Sequence, residues 1–198
     1  MFDLRRSLRR IKPHRFIHPL QRRPRAELPF VTASPGPGRE LLLDTCVYID
    51  VLQGNTPAEV DALLELRTSN HLAVCVAELT HGFGRLGPRH PRTNVVLRTI
   101  SQVVAAIPLH RLETASGDVV IEAGILAGLV FRLCGLQPGQ EVAALNDAIV
   151  YLHALANGLA VLTRNLRDFD VMNQILPDGQ VLFYDRIDQG AGQPTAPA

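Results

Sequence analysis

The sequence predicts an α/β protein, a three-layer sandwich around a central and mostly parallel sheet, preceded by a basic arm. Short apolar runs alternate with longer segments of helical period, as expected of parallel strands joined by crossover helices. The length of 198 residues suits one ordinary domain with an appendage. A content of 46% hydrophobic and 20% charged residues is that of a chain with a core to bury, which excludes a disordered protein.

Residues 1–39 read as an arm and linker. They carry no amphipathic period, their prolines at 13, 19, 24, 29, 35 and 37 block a long helix, and Ser34-Pro35-Gly36-Pro37-Gly38 has linker composition. The domain is expected over 40–188, with a flexible tail at 189–198. Within it, Leu41-Leu42-Leu43 reads as a buried strand ending at Asp44, followed by a short helix over 47–53 that Gly54 closes. Thr56 as cap, Pro57 at the first helical position and Glu59 three residues after the cap predict a helix over 57–68. A second strand is expected at 72–76 and a helix over 77–85 that ends among Gly84, Gly87 and Pro88. Then follow a helix over 92–104, a strand at 105–109, and a long helix over 117–134 with Ala123, Gly124, Ala127 and Gly128 on its buried side. The remaining elements are a helix over 146–157 stopped by Gly158, a strand at 159–163, a short helix over 168–174 and a last strand at 181–184.

The net charge of +1 conceals an asymmetry. Residues 1–39 hold ten basic residues against two acids, a net +8, while the other ten basic and seventeen acidic residues leave the body at −7. An acidic body with a basic arm suits a protein that meets polyanions, provided a cation helps the body to hold one. Cys46, Cys75 and Cys134 are widely spaced and set in apolar stretches, where a reduced cysteine packs as a small hydrophobe, so a cytoplasmic location is expected. The arginine-rich start is not followed by the apolar run of a secretory signal. In the most apolar stretch, 119–136, Glu122 and Arg132 leave only 123–131 uninterrupted, short of the roughly 20 residues a bilayer span needs.

In an open parallel sheet, ligands collect at the carboxyl ends of the strands. Acids are what the sequence puts near those ends. Asp44 terminates the first strand, Glu78 is expected in the first turn after the second, and Asp168 follows the 159–163 strand; Asp147 starts the helix leading into that strand. Each alone reads equally well as a helix cap, worth about 0.5–2 kcal/mol. Together they need more explanation, because two carboxylates about 5 Å apart repel by roughly 3 kcal/mol at an effective dielectric near 20. A divalent cation accounts for the clustering, and oxygen donors without paired histidines or thiolates select magnesium or manganese.

The runs Leu41-Leu42-Leu43-Asp44-Thr45, Ala77-Glu78-Leu79-Thr80-His81-Gly82, Asn146-Asp147-Ala148-Ile149 and Thr163-Arg164-Asn165-Leu166-Arg167-Asp168-Phe169 resemble, in order and spacing, the acidic motifs of PIN-domain nucleases. They are most similar to VapC-type toxins of toxin–antitoxin pairs, over about residues 40–185. The resemblance implies a metal-dependent endoribonuclease hydrolysing RNA phosphodiesters, a homodimer, and a small antitoxin partner that blocks the site. It assigns Asp44, Glu78 and Asp147 to the metal. For the fourth position it leaves two candidates, Asn165 and Asp168; if Asp168 is the ligand, Asn165 would orient a water at the ion or hold Asp168, with Thr163 as a hydroxyl partner. Cys46 stands where the family commonly has asparagine, which removes a side-chain amide from the hydrogen bonding around Asp44.

Gly82-Phe83-Gly84-Arg85-Leu86-Gly87 matches a dinucleotide-binding pattern, but a helical turn precedes it where that fingerprint needs a strand. The seven histidines show no zinc spacing with the cysteines. Asp118 and Glu122, one helical turn apart, read as a solvent edge. The exposed face of the Glu78 helix accounts for His81 and Arg85. The competing function is a catalytically idle module that binds RNA or a protein through the same crevice.

Overall fold

The computed structural model describes residues 2–87, 89 and 93–187. Among them, five strands form one all-parallel sheet flanked by eight α-helices, a three-layer α/β sandwich of the predicted class. The expected tail at 189–198 and the boundary at 188 lie outside the described residues.

The chain order is α1 (Leu4–Ile11), β1 (Leu41–Leu43), α2 (Thr45–Gln53), α3 (Ala58–Leu66), β2 (Ser69–Leu72), α4 (Ala73–Arg85), α5 (Thr93–Ala106), β3 (Leu112–Glu113), α6 (Gly117–Cys134), α7 (Glu141–Asn157), β4 (Ala160–Thr163), α8 (Leu166–Ile175) and β5 (Gln180–Phe183). The strands lie in the order β3-β2-β1-β4-β5. Winding therefore reverses between β1 and β4, the place where an open sheet leaves a crevice at its carboxyl edge. Both central strands are buried on both faces, which is why Leu41-Leu42-Leu43 and Ala160-Val161-Leu162-Thr163 read as unbroken runs without alternation. The core continues into α6 and α7, which pack along each other.

Several boundaries differ from expectation, and one matters for the site. The run at 72–76 is helical: β2 ends at Leu72, and Leu72, Cys75 and Leu79 bury one helical stripe. A five-residue apolar run carries too little period to separate strand from buried helix. The predicted strand at 105–109 is also absent. There α5 runs to Ala106, Pro108 starts a single 3-10 turn, and the strand comes afterwards at Leu112–Glu113. In α6, Ala123 and Ala127 are buried, whereas Gly124 and Gly128 lie one step round the helix and face solvent. Thr56 does not cap α3; its hydroxyl donates to Asp61, and Pro57 takes the cap position. α7 starts at Glu141, five residues earlier than expected, after a turn at Gly139 whose φ of 94° favours glycine.

The described part of the predicted arm, residues 2–39, folds against the body. Asp3 caps α1, and Ile11 at its end is 1% exposed, within the core. Arg132 of α6 holds the carbonyls of Phe16 and Pro13. Further on, Arg23 clamps the fully buried Asp170 and reaches Asn173. Arg25 then stacks 3.7 Å over the Phe30 ring, and Phe30 bridges in parallel to Phe183 of β5. The segment thus covers the edge of β5, whose unpaired backbone groups would otherwise be open to another strand.

Candidate functional site

The seam between β1 and β4 sets the site. Leu43 pairs with Leu162, so the next residues, Asp44 and Thr163, leave the sheet side by side. Asp44 becomes the cap of α2, its Oδ1 accepting the Thr45 amide at 2.6 Å. Its Oδ2 accepts the Thr163 hydroxyl at 2.5 Å and the Cys46 thiol at 3.0 Å. The thiol also accepts the Arg164 amide, so Cys46 supplies polar contacts where an asparagine was expected.

Glu78 lies in the second turn of α4, not the first, because that helix starts at Ala73. The longer helix carries it towards α2 and α7: its carboxylate accepts from Thr45 Oγ1 at 2.5 Å and from Asn146 Nδ2 at 2.6 Å. The early start of α7 likewise puts Asp147 in that helix's second turn, facing α8. Asn165 caps α8, and its Nδ2 donates to Asp147 Oδ2 at 2.9 Å and to Asp168 Oδ2 at 3.1 Å. Asp168 is 5% exposed and also takes a two-point contact from Arg167.

Thus Asp44, Glu78, Asp147, Asp168, Asn165 and Thr163 all belong to one connected patch at the carboxyl edge of the sheet. The electrostatics agree with that proximity. Burial raises the Asp44 carboxyl above its ordinary value against the pull of its three donors, and the charge of Glu78 adds to the rise. Asp147 is pushed well above the usual carboxylate range, first by burial and then by the charges of Asp44, Asp168 and Glu78. Burial and Asp44 together also hold the Cys46 thiol well above its ordinary value, so the thiol stays protonated.

Among the described residues, no three His, Cys, Asp or Glu side chains form a ready metal cage. The carboxylates rest on hydroxyl, amide and guanidinium donors instead. The donor set nevertheless suits a hard divalent cation: it offers carboxylate oxygens, and its one thiol is protonated. Such a cation would relieve the mutual repulsion that adds to the effect of burial on Asp147.

Several contributors had no sequence signal strong enough to single them out. Thr45 and Asn146 hold Glu78, though both sit beside acids that were singled out. Asp50, fully buried in α2, accepts the Tyr184 hydroxyl at 2.8 Å and lies 2.7 Å from Arg164 Nε, an ion pair set off line for a hydrogen bond. Beside Thr45 and Glu78 opens an apolar groove of about 390 Å³, walled by Ile49, Leu52, Leu79, Val95, Val96 and Ile100. The dinucleotide-like glycines fall at the end of α4, where no strand precedes them. No helix among the described residues is long and apolar enough to cross a membrane.

The likeness to known proteins is one of fold. No family model matches the sequence, and no curated protein does. Among solved structures, the chain is similar to a chain of VapBC2 from Rickettsia felis bound to a promoter DNA fragment, with 17% identity and a TM-score of 0.52 over 73% of this chain and 98% of that one. A chain of FitAcB from Neisseria gonorrhoeae matches at 20% identity and a TM-score of 0.52, over 73% of this chain and 96% of that one. A chain of DNA-bound VapBC from Salmonella typhimurium matches at 18% identity and 0.51, over 73% and 97% respectively.

Proposed function

We propose that this protein is a divalent-metal-dependent endoribonuclease, the toxin of a toxin–antitoxin pair. The observation that carries the reading is the convergence of Asp44, Glu78, Asp147 and Asp168 on one crevice, where burial raises the Asp147 carboxyl and the charges of the other three add to the rise. The ordered motifs and the VapBC-like and FitAcB-like fold support it.

Asp44, Glu78, Asp147 and Asp168 would hold magnesium or manganese. An ion held there would supply a water of lowered pKa and would offset charge developing on the phosphate. The chain's own residues do the positioning. Thr163 and Cys46 fix Asp44, Thr45 and Asn146 fix Glu78, and Asn165 spans Asp147 and Asp168. The small antitoxin would seat an apolar segment in the groove beside Glu78 and so reach the site from α4. A homodimer and a cytoplasmic location complete the proposal.

One observation favours a second reading, a catalytically idle module that binds RNA or protein: Asp168 is already engaged by Arg167. Purified protein incubated with transfer RNA in magnesium, in manganese and in chelator separates the two. Nuclease action requires internal cleavage that chelator stops and that Asp147→Asn removes. Intact RNA under all conditions supports the idle module.

A further inference from the structure

Next to the carboxylates lies an open hollow of about 480 Å³ walled by Arg22, Cys46, Arg164, Asn165, Leu166 and Arg167. Cys46 and Asn165 belong also to the acidic patch, so the hollow and the patch are continuous. Its other side is basic. Arg164 and Arg167 are each tied along one edge to a buried carboxylate, Asp50 at 2.7 Å and Asp168 at 2.8 Å, which fixes where their guanidinium planes point.

Arg22 comes from the segment ahead of the sheet and is held there from both sides. The Gln21 carbonyl accepts from Gln174 at 3.0 Å, and Arg23 grips Asp170 through both its backbone amide and its Nε. Yet the exposed Arg22 side chain has no hydrogen-bond or ion-pair partner among the described residues. A strap pinned at two neighbouring residues thus presents an unpaired guanidinium to a hollow that already holds two. Asp50 and Asp168 offset the charges of Arg164 and Arg167 from one side, Arg22 has no such counter-charge, and planar guanidinium forks suit phosphate oxygens on their open edges.

We propose that Arg22, Arg164 and Arg167 form a subsite for a backbone phosphate of single-stranded RNA, beside the phosphate that lies at the carboxylates. This rests on the ribonuclease reading. The strap is then part of the substrate surface, and its arginine adds positive charge beside the acidic patch of a body whose net charge is −7.

The test uses the full-length chain carrying Asp147→Asn, so that RNA survives, and measures binding of a short oligouridine across a series of salt concentrations. Adding Arg22→Gln is expected to weaken binding about five- to tenfold at low salt and to reduce the slope of log affinity against log salt by about 0.7, one phosphate contact on a single strand. Arg22→Lys keeps the charge and should keep most of the slope. In the protein with Asp147 intact, the cleavage defect of Arg22→Gln should fall on KM. Equal affinity and slope with and without Arg22→Gln overturn the subsite while leaving the nuclease reading standing. Absence of both oligouridine binding and cleavage in the parent proteins overturns both.

Discussion

The Thr163 hydroxyl donates to Asp44 Oδ2 at 2.5 Å across the seam where the winding of the sheet reverses. Thr163 is fully buried, so Thr163→Val preserves shape while leaving Asp44 one donor short. We expect a loss of about 1–3 kcal/mol in urea unfolding and a fall in RNA cleavage of about 10–100-fold. Thr163→Ser, which keeps the hydroxyl, should retain most of the activity.

Asn165 has the same standing towards Asp147 and Asp168. Asn165→Ala removes the donor shared by two carboxylates and should lower cleavage about 10–100-fold, with the required metal concentration rising. Asn165→Asp replaces that donor by a further negative charge, so its metal-free form should unfold at lower temperature than the parent at neutral pH. Cleavage rates across a manganese titration and thermal melts in chelator check the two variants.

The raised carboxyls of Asp44 and Asp147 fix the sign of a pH effect. A carboxyl harder to ionise in the folded state binds its proton more tightly there than in the unfolded chain. The stability it contributes is fully present below the unfolded value of about 4 and is lost as pH rises through the elevated folded value. In chelator, these two groups should therefore make melting temperature fall as pH rises from about 4 towards neutrality. Asp147→Asn should flatten that fall, and magnesium should raise the melting temperature more at pH 7 than at pH 5. Melts over this range in metal and in chelator provide the check.

Arg23 anchors the strap on a carboxylate that is 0% exposed. Arg23→Ala would leave Asp170 buried without its cation, costing about 2–3 kcal/mol, below the usual range for a broken buried pair because Arg23 is itself 30% exposed. Chemical denaturation measures this. Deleting residues 1–39 uncovers Ile11's and Leu28's places in the core together with the β5 edge, and should yield an aggregation-prone protein.

The free thiols should be inert in the native state. Burial holds Cys46 and Cys75 above their ordinary values and pushes Cys134 up to about 11. Little thiolate exists at pH 8 to attack iodoacetamide. Alkylation followed by mass spectrometry should find all three modified in denaturant and scarcely modified without it.

What could be read from the sequence was local. Asp44 directly follows a triple-leucine strand, and Thr163, Asn165 and Asp168 sit within six residues of one another, so their convergence at a strand end needed only the rule that ligands gather there. Glu78 and Asp147 lie in the patch although both their helices start earlier than the sequence predicts. The 72–76 run has no period to reveal a helix, and α7 begins in a stretch whose start is set by the Gly139 turn. Contacts over long separations had no local signature at all. Nothing in the arm's composition announces that Arg23 will find Asp170, 147 residues away, or that this carries Arg22 to the edge of the acidic patch. The α1 helix does carry a local signal, Leu4, Leu8 and Ile11 at the i, i+4, i+7 spacing of an apolar stripe, confined to two turns of a segment that is otherwise rich in arginine and, from Pro13 on, in proline.

The central claim is that the acids at the β1–β4 seam hold a divalent ion. Calorimetric titration of manganese at neutral pH, in buffers of different ionisation enthalpy, tests it most directly. Saturable binding with release of protons from the raised carboxyls, and marked weakening by Asp147→Asn, is the predicted result. Manganese that does not bind, or that binds equally well to Asp147→Asn without proton release, would contradict it.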